Sequence, residues 1–235
     1  MAMFRCGTPH ARCRLMRPAL FLAAAFVVAA PPVNARAQTR QERDPHDAQR
    51  MEPSRGALEL SGGAGLVQGV GVISRDQPSS DQLGGWGYGA FASAAYRATD
   101  AMSFGVGFAY EGLGAMRDDA ARSYGARLEA TRHFDPSGRA DPWMKLGAGY
   151  RFVQIASSTS TPSLFAHGFE ILSLRFGADF RRTTSFAFGP VGGLDLTLFT
   201  WQRWGDGPMA ASAHPAVTAL LTMGLQARFD IGGAR

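Results

Sequence analysis

The residues that could support hydrolytic catalysis are few. His167 is preceded by Ser163 and followed by Glu170, which are the residue types of a base, a nucleophile and an acid. A nucleophile and its base must meet within hydrogen-bond distance, and this spacing does not establish that contact. One histidine and one carboxylate also fall short of the three or four ligands that zinc takes. From the sequence we therefore expect no catalytic site, no cofactor site and no metal site. We expect that the protein is not an enzyme.

The other histidines after the first 40 residues have no patterned partners. His133 stands beside Phe134 at the end of a predicted strand, where we expect an interfacial residue. His214 precedes Pro215 in a predicted loop, and His46 lies in a charged segment. None of these positions indicates a second candidate for catalysis.

The charge balance excludes a nucleic-acid partner. The chain has 24 basic and 19 acidic residues, but residues 1–37 contain five arginines and no acid. The part after residue 37 therefore carries 19 basic and 19 acidic groups and has no basic footprint. Cys6 and Cys13 also lie in this leading segment, so the rest of the chain has no thiol for a disulfide, a zinc site or a nucleophile.

Residues 1–37 are typical of a signal peptide. A cationic stretch from Arg5 to Arg17 precedes 12 apolar residues, Ala19 to Ala30, and Ala35-Arg36-Ala37 supplies the small residues of a cleavage site after Ala37. A transmembrane anchor is the alternative, but 12 helical residues cover only about 18 Å of a hydrocarbon core about 30 Å thick. Residues 38–55 are charged and contain two prolines, which favours a disordered periplasmic linker. The remaining domain is 56–235.

Apolar residues alternate with small or polar ones throughout residues 56–235. Between Trp86 and Tyr96, for example, the even positions are apolar or aromatic and the odd positions include glycine and serine. This period of two is that of a strand, which sorts its side chains onto two faces. Eight such segments are each long enough to cross a bilayer as a tilted strand. They are 57–72, 86–96, 102–113, 122–134, 143–154, 169–181, 185–200 and 216–231.

The connections between these segments alternate between long and short. This is typical of an antiparallel meander with both termini on one side, tight turns there and longer loops on the opposite side. The longer connections are 73–84, 114–121, 156–168 and 201–215, and the shorter ones are 98–101, 135–142 and 182–184.

Two features indicate that the apolar face points outward. The polar faces are glycine-rich and carry charges in the middle of strands, yet Lys145 is the one lysine of the chain, which suits a narrow lumen better than a solvated surface. Aromatic residues on the apolar face also form two bands, as a bilayer selects at its two interfaces. The upper girdle is predicted to contain Trp86, Tyr88, Tyr110, Tyr124 and Phe152, and the lower girdle Tyr96, Phe104, Phe134, Phe180, Phe186 and Phe229. A soluble lipocalin-like barrel, with the apolar face inside, is the structural alternative.

The lumen charges compensate one another in two predicted layers. Buried charges are tolerated when paired, and an eight-stranded barrel is just wide enough for its own side chains, so a closed lumen is expected. The upper layer contains Glu111, Arg127, Glu129, Arg151, Arg175 and Asp195, and the lower layer Glu59, Arg97, Lys145, Asp179, Arg228 and Asp230.

Taken together, these features resemble the small eight-stranded outer-membrane β-barrel proteins of Gram-negative bacteria, of the OmpA/OmpX type or OmpW-like. The resemblance covers residues 56–235 and rests on periodicity. It implies an all-β fold, an eight-stranded antiparallel up-and-down transmembrane β-barrel with periplasmic termini, located in the cell outer membrane. It also implies two partners, the outer-membrane lipid and the barrel assembly machinery, which reads a terminal aromatic residue; here Phe229 is the last aromatic.

Three classes of function fit such a barrel. The leading hypothesis is a structural or surface-interaction protein with a closed lumen. The alternative is a narrow passage for small apolar compounds, as in OmpW-like relatives. A third class is a lipid-modifying enzyme like the PagL- and PagP-type barrels, for which His167 would be the candidate base, although no H-x-S motif like that of PagL is present.

Overall fold

The structure is a computed structural model that describes residues 55–73, 83–114, 120–156 and 163–233. The predicted signal peptide, 1–37, and all of the predicted linker except Arg55 lie outside the described residues. Among the described residues, no helix is long and apolar enough to span a membrane.

The described residues form one antiparallel sheet that closes on itself. From β1 to β7 each strand pairs with its neighbours in sequence, β7 also pairs with β9, and β9 pairs with β1, so that eight long strands make a barrel. A two-residue strand, β8, extends the edge of β7. The strands are β1 Leu58–Val70, β2 Gly85–Thr99, β3 Met102–Gly114, β4 Ala120–His133, β5 Ala140–Ala156, β6 Leu164–Arg181, β7 Phe186–Trp204, β8 Ala210–Ala211 and β9 Val217–Ile231.

The eight long strands all exceed the length that a bilayer requires. A tilted strand crosses with about 9–11 residues, whereas these strands have 13 to 19, and β5, β6 and β7 are the longest with 17, 18 and 19. We call the end of the barrel that carries the β1–β2, β3–β4, β5–β6 and β7–β9 connections the loop side, and the opposite end the turn side. On the loop side, β6 and β7 continue past the last β7–β9 pair, Leu198 with Val217, to Leu164 and Trp204. Because β3 and β4 also continue further than the alternation predicts, the connection between them shortens to the five residues 115–119.

The barrel is apolar outside and polar inside. Leu128 and Leu225, which face outward, are 72% and 67% exposed, whereas the Arg97 and Arg151 side chains are fully buried. No outward-facing position of the eight long strands carries a carboxylate. This distribution is the reverse of a soluble barrel and contradicts the lipocalin-like alternative.

Two irregularities of β6 and β7 change which residues face the lumen. The β6–β7 register shifts between Glu170 and Leu172, and again where Gly168 pairs with Phe199 while His167 pairs with Trp201. A bulge inserts one residue and so reverses the inward–outward order beyond it. As a result Glu170 is buried inside, and Trp201 and Arg203 are exposed outside.

The β1–β9 contact depends on glycine at position 65. A Cβ added at Gly65 would lie 2.6 Å from the Cα of Gly224, which is backbone and cannot rotate away. We expect Gly65→Ala to lower the free energy of unfolding by about 1–3 kcal/mol, the usual cost of overpacking. Urea unfolding in lipid vesicles, followed by tryptophan fluorescence, measures this loss.

Gly62→Ala is the matched control for this prediction. A Cβ added at Gly62 would be 3.5 Å from the Phe91 carbonyl oxygen, an ordinary contact. Its stability should stay near that of the unsubstituted protein. Equal losses in the two variants would show that close approach of β1 and β9 is not the reason for glycine at position 65.

Candidate functional site

The interior of the barrel holds every charged residue that the sequence analysis assigned to the lumen. All of these side chains are buried, and the structure divides them between two clusters. They are Glu59, Arg97, Glu111, Arg127, Glu129, Lys145, Arg151, Arg175, Asp179, Asp195, Arg228 and Asp230.

The loop-side cluster has equal numbers of cations and anions. Its members come from β3 to β7, and each makes at least one ion pair within 4 Å. We define it as Glu111, Arg127, Glu129, Lys145, Arg151, Glu170, Arg175 and Asp195.

Arg151 is the centre of the loop-side cluster. Its guanidinium lies 2.6 Å from Glu111 Oε2, 2.6 Å from Glu170 Oε2 and 3.0 Å from Asp195 Oδ2. It also donates a 2.9 Å hydrogen bond to the Ser123 hydroxyl. One side chain of β5 thereby joins β3, β4, β6 and β7, which ties the barrel wall together across the lumen.

The other cations of this cluster complete the network. Arg127 donates to Glu129 Oε1 at 2.7 Å and reaches Glu170 and Asp195. The Arg175 guanidinium lies 3.8 Å from Asp195 and stacks 4.3 Å from the ring centre of Phe91, so one face of it is covered by an aromatic ring inside the barrel.

The predicted layer of Lys145 was wrong. Lys145 Nζ lies 2.9 Å from Glu129 Oε2 and donates a 2.9 Å hydrogen bond to the Ser93 hydroxyl, so it belongs to the loop-side cluster. The two layers were predicted from the place of each residue within its own strand. Strand tilt and stagger, however, bring residues from different places in their strands to the same height along the barrel axis.

The turn-side cluster contains four carboxylates, three arginines and a histidine. Arg97 donates to Glu59 Oε1, Arg228 lies 2.6 Å from Asp179 Oδ2, and Arg181 lies 3.6 Å from Asp230 Oδ2. We define it as Glu59, Arg97, His133, Asp141, Asp179, Arg181, Arg228 and Asp230.

His133 is a lumen residue, and the expectation of an interfacial position was wrong. Its side chain is buried, Nδ1 lies 2.8 Å from Asp141 Oδ2, and Nε2 lies 3.5 Å from Glu59 Oε1. Odd-numbered positions of β4 face inward, so the alternation in the sequence already indicated that His133 faces the lumen. Asp141 was missed because the predicted strand began at Trp143, three residues after the observed start of β5 at Ala140.

Arg181 and Glu170 were also missed as lumen residues, for different reasons. Arg181 shares the inward face of β6 with Asp179, so the alternation could have found it. Glu170 stands on the even, outward set of the sequence pattern, and only the bulge turns it inward.

The Ser163, His167 and Glu170 side chains do not form a common site. His167 faces outward, where its Nδ1 hydrogen-bonds the Tyr150 hydroxyl, while Glu170 faces the lumen and pairs with Arg127 and Arg151. Ser163 lies four residues before His167 in extended chain, about 13 Å away along the strand. Among the described residues, no group of three or more His, Cys, Asp or Glu is arranged to hold a metal ion.

An apolar layer closes the lumen at the loop side. Buried aliphatic residues from six strands meet Phe199 of β7 and two residues of the β1–β2 connection, Ile73 and Leu83. We call this layer the outer plug; its members are Val67, Ile73, Leu83, Leu113, Ala121, Val153, Ile155, Leu164, Ala166, Phe199 and Leu220. Below it, a polar cavity of about 20 Å³ between Ser61, Ser93, Trp143 and Lys145 has space for about one water molecule. Among the described residues, the outer plug and the two charged clusters fill the lumen at successive levels.

The predicted girdle residues all lie on the outer surface. Nine of the eleven are at least 41% exposed, and Tyr110 and Phe186 are half-buried against neighbouring rings. Trp86, Tyr88, Tyr110, Tyr124 and Phe152 lie toward the loop side. Tyr96, Phe104, Phe134, Phe180, Phe186 and Phe229 lie toward the turn side.

Solved structures of similar fold are known. The crystal structure of Neisserial surface protein A (NspA) matches with a TM-score of 0.52 at 15% sequence identity, over 74% of this chain and 99% of that chain. This chain has the fold of a small outer-membrane β-barrel. At this identity the likeness concerns the fold alone, and the predicted eight-stranded, up-and-down fold class is confirmed. The apolar exterior between two girdles is the surface that such a barrel presents to lipid, in agreement with the predicted outer-membrane location.

Two further structures match at lower scores. The outer membrane protein OprG from Pseudomonas aeruginosa has a TM-score of 0.44 at 13% identity, over 77% of this chain and 99% of that chain. Ail, the attachment invasion locus protein of Yersinia pestis, in complex with the heparin analogue sucrose octasulfate, has a TM-score of 0.44 at 14% identity, over 74% and 99%. No family model and no curated protein matches the sequence.

Proposed function

We propose that this protein is a non-conducting, non-enzymatic outer-membrane barrel that acts as a structural or surface-interaction protein. The observation that supports this most directly is the filled lumen, in which two ion-paired clusters lie beneath the outer plug. The charged side chains of each cluster form ion pairs with other members of the same cluster, which supports an interior that serves as the core of the barrel. The loop side, where β6 and β7 continue past the end of β9, is then the part available to the exterior.

The structure favours this function over a narrow passage for small apolar compounds. Such a compound would have to displace Phe199 and Leu220 from the outer plug and then cross the loop-side cluster, where Arg151 alone contacts three carboxylates. Entry of an apolar molecule into that cluster would separate charges without replacing their hydrogen bonds, which is costly.

Planar-bilayer recording tests the closed lumen. We expect the refolded barrel, inserted at single-molecule density in 1 M KCl, to show no stepwise conductance, because two charged layers and one apolar layer block the axis. A porin reconstituted in the same lipid serves as the positive control for insertion and recording. The sample must show a heat-dependent shift in gel migration, which demonstrates a folded barrel. Regular conductance steps from such a sample would contradict the proposal.

A further inference from the structure

Cations on the outward face of the barrel occur only near its ends. Among the outward positions of the eight long strands, the charged residues are Arg122 and Arg203 at the loop side and Arg132 at the turn side. No carboxylate of the eight long strands faces outward, so these strands offer no outward-facing anion to pair with the three guanidinium groups. Their partners are expected to be anions of the surrounding leaflet.

The register places the two loop-side arginines in one row. Arg122 is paired with Gln154, Gln154 with Phe165, and Phe165 with Arg203, across β4 to β7. At about 4.8 Å per strand the two arginine Cα atoms are about 14 Å apart. Two guanidinium groups at this separation can each contact one phosphate of a single large headgroup. The Arg203 guanidinium lies 5.5 Å from the ring centre of Phe165, which holds it against the barrel wall.

A platform of aromatic rings lies directly beneath this row. Tyr124, Phe152, His167 and Trp201 are paired in sequence across the same four strands, one outward step of about 7 Å closer to the membrane centre. The His167 and Trp201 rings are stacked, with planes 14° apart and centres 6.4 Å apart. The Trp201 side chain is 44% exposed. Flat, exposed aromatic faces are surfaces on which the carbon-bound hydrogens of a sugar ring pack.

The turn side lacks this combination. Arg132 and Arg182 each lie against a single phenylalanine, at 5.9 Å from Phe134 and 5.3 Å from Phe188. Phe188 is itself stacked on Phe186, with planes 25° apart and ring centres 6.3 Å apart. However, Arg132 is paired with Met144, and Met144 with Phe176, so the register does not place Arg132 and Arg182 in one row. The two ends therefore differ in arrangement: the loop side has two arginines in one row above an aromatic platform, and the turn side has two arginines in separate rows, each against its own phenylalanine.

We propose that Arg122, Tyr124, Phe165, His167, Trp201 and Arg203, here called the rim strip, bind the headgroup of a phosphorylated glycolipid in the outer leaflet. The arginines contact phosphates on a sugar backbone, the aromatic rings pack against the sugars, and the acyl chains run down the apolar face below. This assignment rests on the proposed outer-membrane placement of the barrel. A plain phospholipid would use the arginines but not the platform.

Native mass spectrometry of the folded barrel in a non-ionic detergent tests the rim strip. The probes are an acylated diglucosamine lipid with two phosphates, the same lipid after enzymatic removal of its phosphates, and phosphatidylglycerol. We expect the diphosphorylated glycolipid to bind roughly tenfold more tightly than either of the others, since two charge-assisted contacts are added to the ring contacts. Higher ionic strength should reduce this preference.

Paired variants identify the residues responsible. Arg122→Gln with Arg203→Gln should remove the preference for the phosphorylated form, whereas Arg132→Gln with Arg182→Gln, the matched pair at the turn side, should retain it. Trp201→Leu should weaken the binding of both glycolipids and leave the binding of phosphatidylglycerol unchanged.

Two results would overturn the proposal. One is equal affinity for the diphosphorylated glycolipid and phosphatidylglycerol, which would mean a general anionic-lipid contact. The other is an equal loss of preference in the two arginine pairs. Each variant is first checked for the heat-dependent gel shift and for membrane fractionation, so a failure of the barrel placement itself is distinguished from a failure of lipid recognition.

Discussion

Replacing Arg151 by leucine is expected to destabilise the barrel by about 3–5 kcal/mol. The guanidinium is fully buried and lies within 3.0 Å of an oxygen of each of Glu111, Glu170 and Asp195. Removing the guanidinium leaves three carboxylates close together in the lumen without the positive charge of Arg151. This is far more costly than losing one exposed ion pair. Urea unfolding in lipid vesicles, together with the temperature of the gel-migration shift, measures the change.

Two further variants make this expectation specific. Arg151→Lys keeps the charge but lacks the planar fork that reaches several carboxylates, so it should recover only part of the stability. Arg55→Gln removes an exposed pair with Asp100, whose side chains are 73% and 36% exposed, and should leave the unfolding midpoint unchanged. If Arg151→Leu behaved like Arg55→Gln, the loop-side cluster would not contribute to the barrel's stability.

Replacing Leu128 by arginine should cost about 2–4 kcal/mol and impair membrane assembly, although Leu128 is 72% exposed. Leu128 lies in β4 between Tyr124 of the upper girdle and Phe134 of the lower girdle, near the bilayer midplane. A charge placed there has to leave water for hydrocarbon. In a water-soluble protein, an arginine at such an exposed position would change stability by less than about 0.5 kcal/mol.

Gln154→Arg is the control for the membrane position. Gln154 also faces outward but lies beyond Phe152, near the interface, where an arginine costs about 0–1 kcal/mol. Urea unfolding in vesicles and the fraction recovered in washed outer membranes should separate the two variants clearly. Equal behaviour of Leu128→Arg and Gln154→Arg would contradict a lipid-facing exterior.

The two clusters explain how a chain with so few large apolar residues inside still makes one fold. In the membrane-spanning part, the interior is joined by hydrogen-bonded charges that link strands distant in sequence, such as β3 and β7 through Arg151. Toward the loop side, the outer plug fills the interior with apolar side chains instead.

The sequence by itself determined the architecture and the two faces of the wall. Alternation with a period of two is a local property, because neighbouring side chains of a strand point to opposite sides whatever the strand pairs with. That is why the buried charges and the exposed aromatic girdles could be assigned residue by residue. His133 and Arg181 also stand on inward-facing positions, so the same alternation could have predicted them as lumen residues although they were not assigned there.

Only the tertiary structure decided heights, partners and exceptions. Strand tilt and stagger depend on how all eight strands close, so the pairing of Lys145 with Glu129 could not be derived from positions along the chain. The bulge that turns Glu170 inward adds one residue to a strand. Its local sign is the adjacent apolar pair Ile171–Leu172, but the same kind of pair occurs at Leu220–Leu221 without a bulge, so the sign is not specific. The outer plug is likewise a consequence of closure, since its residues become a core only when the ends of seven strands and the β1–β2 connection meet.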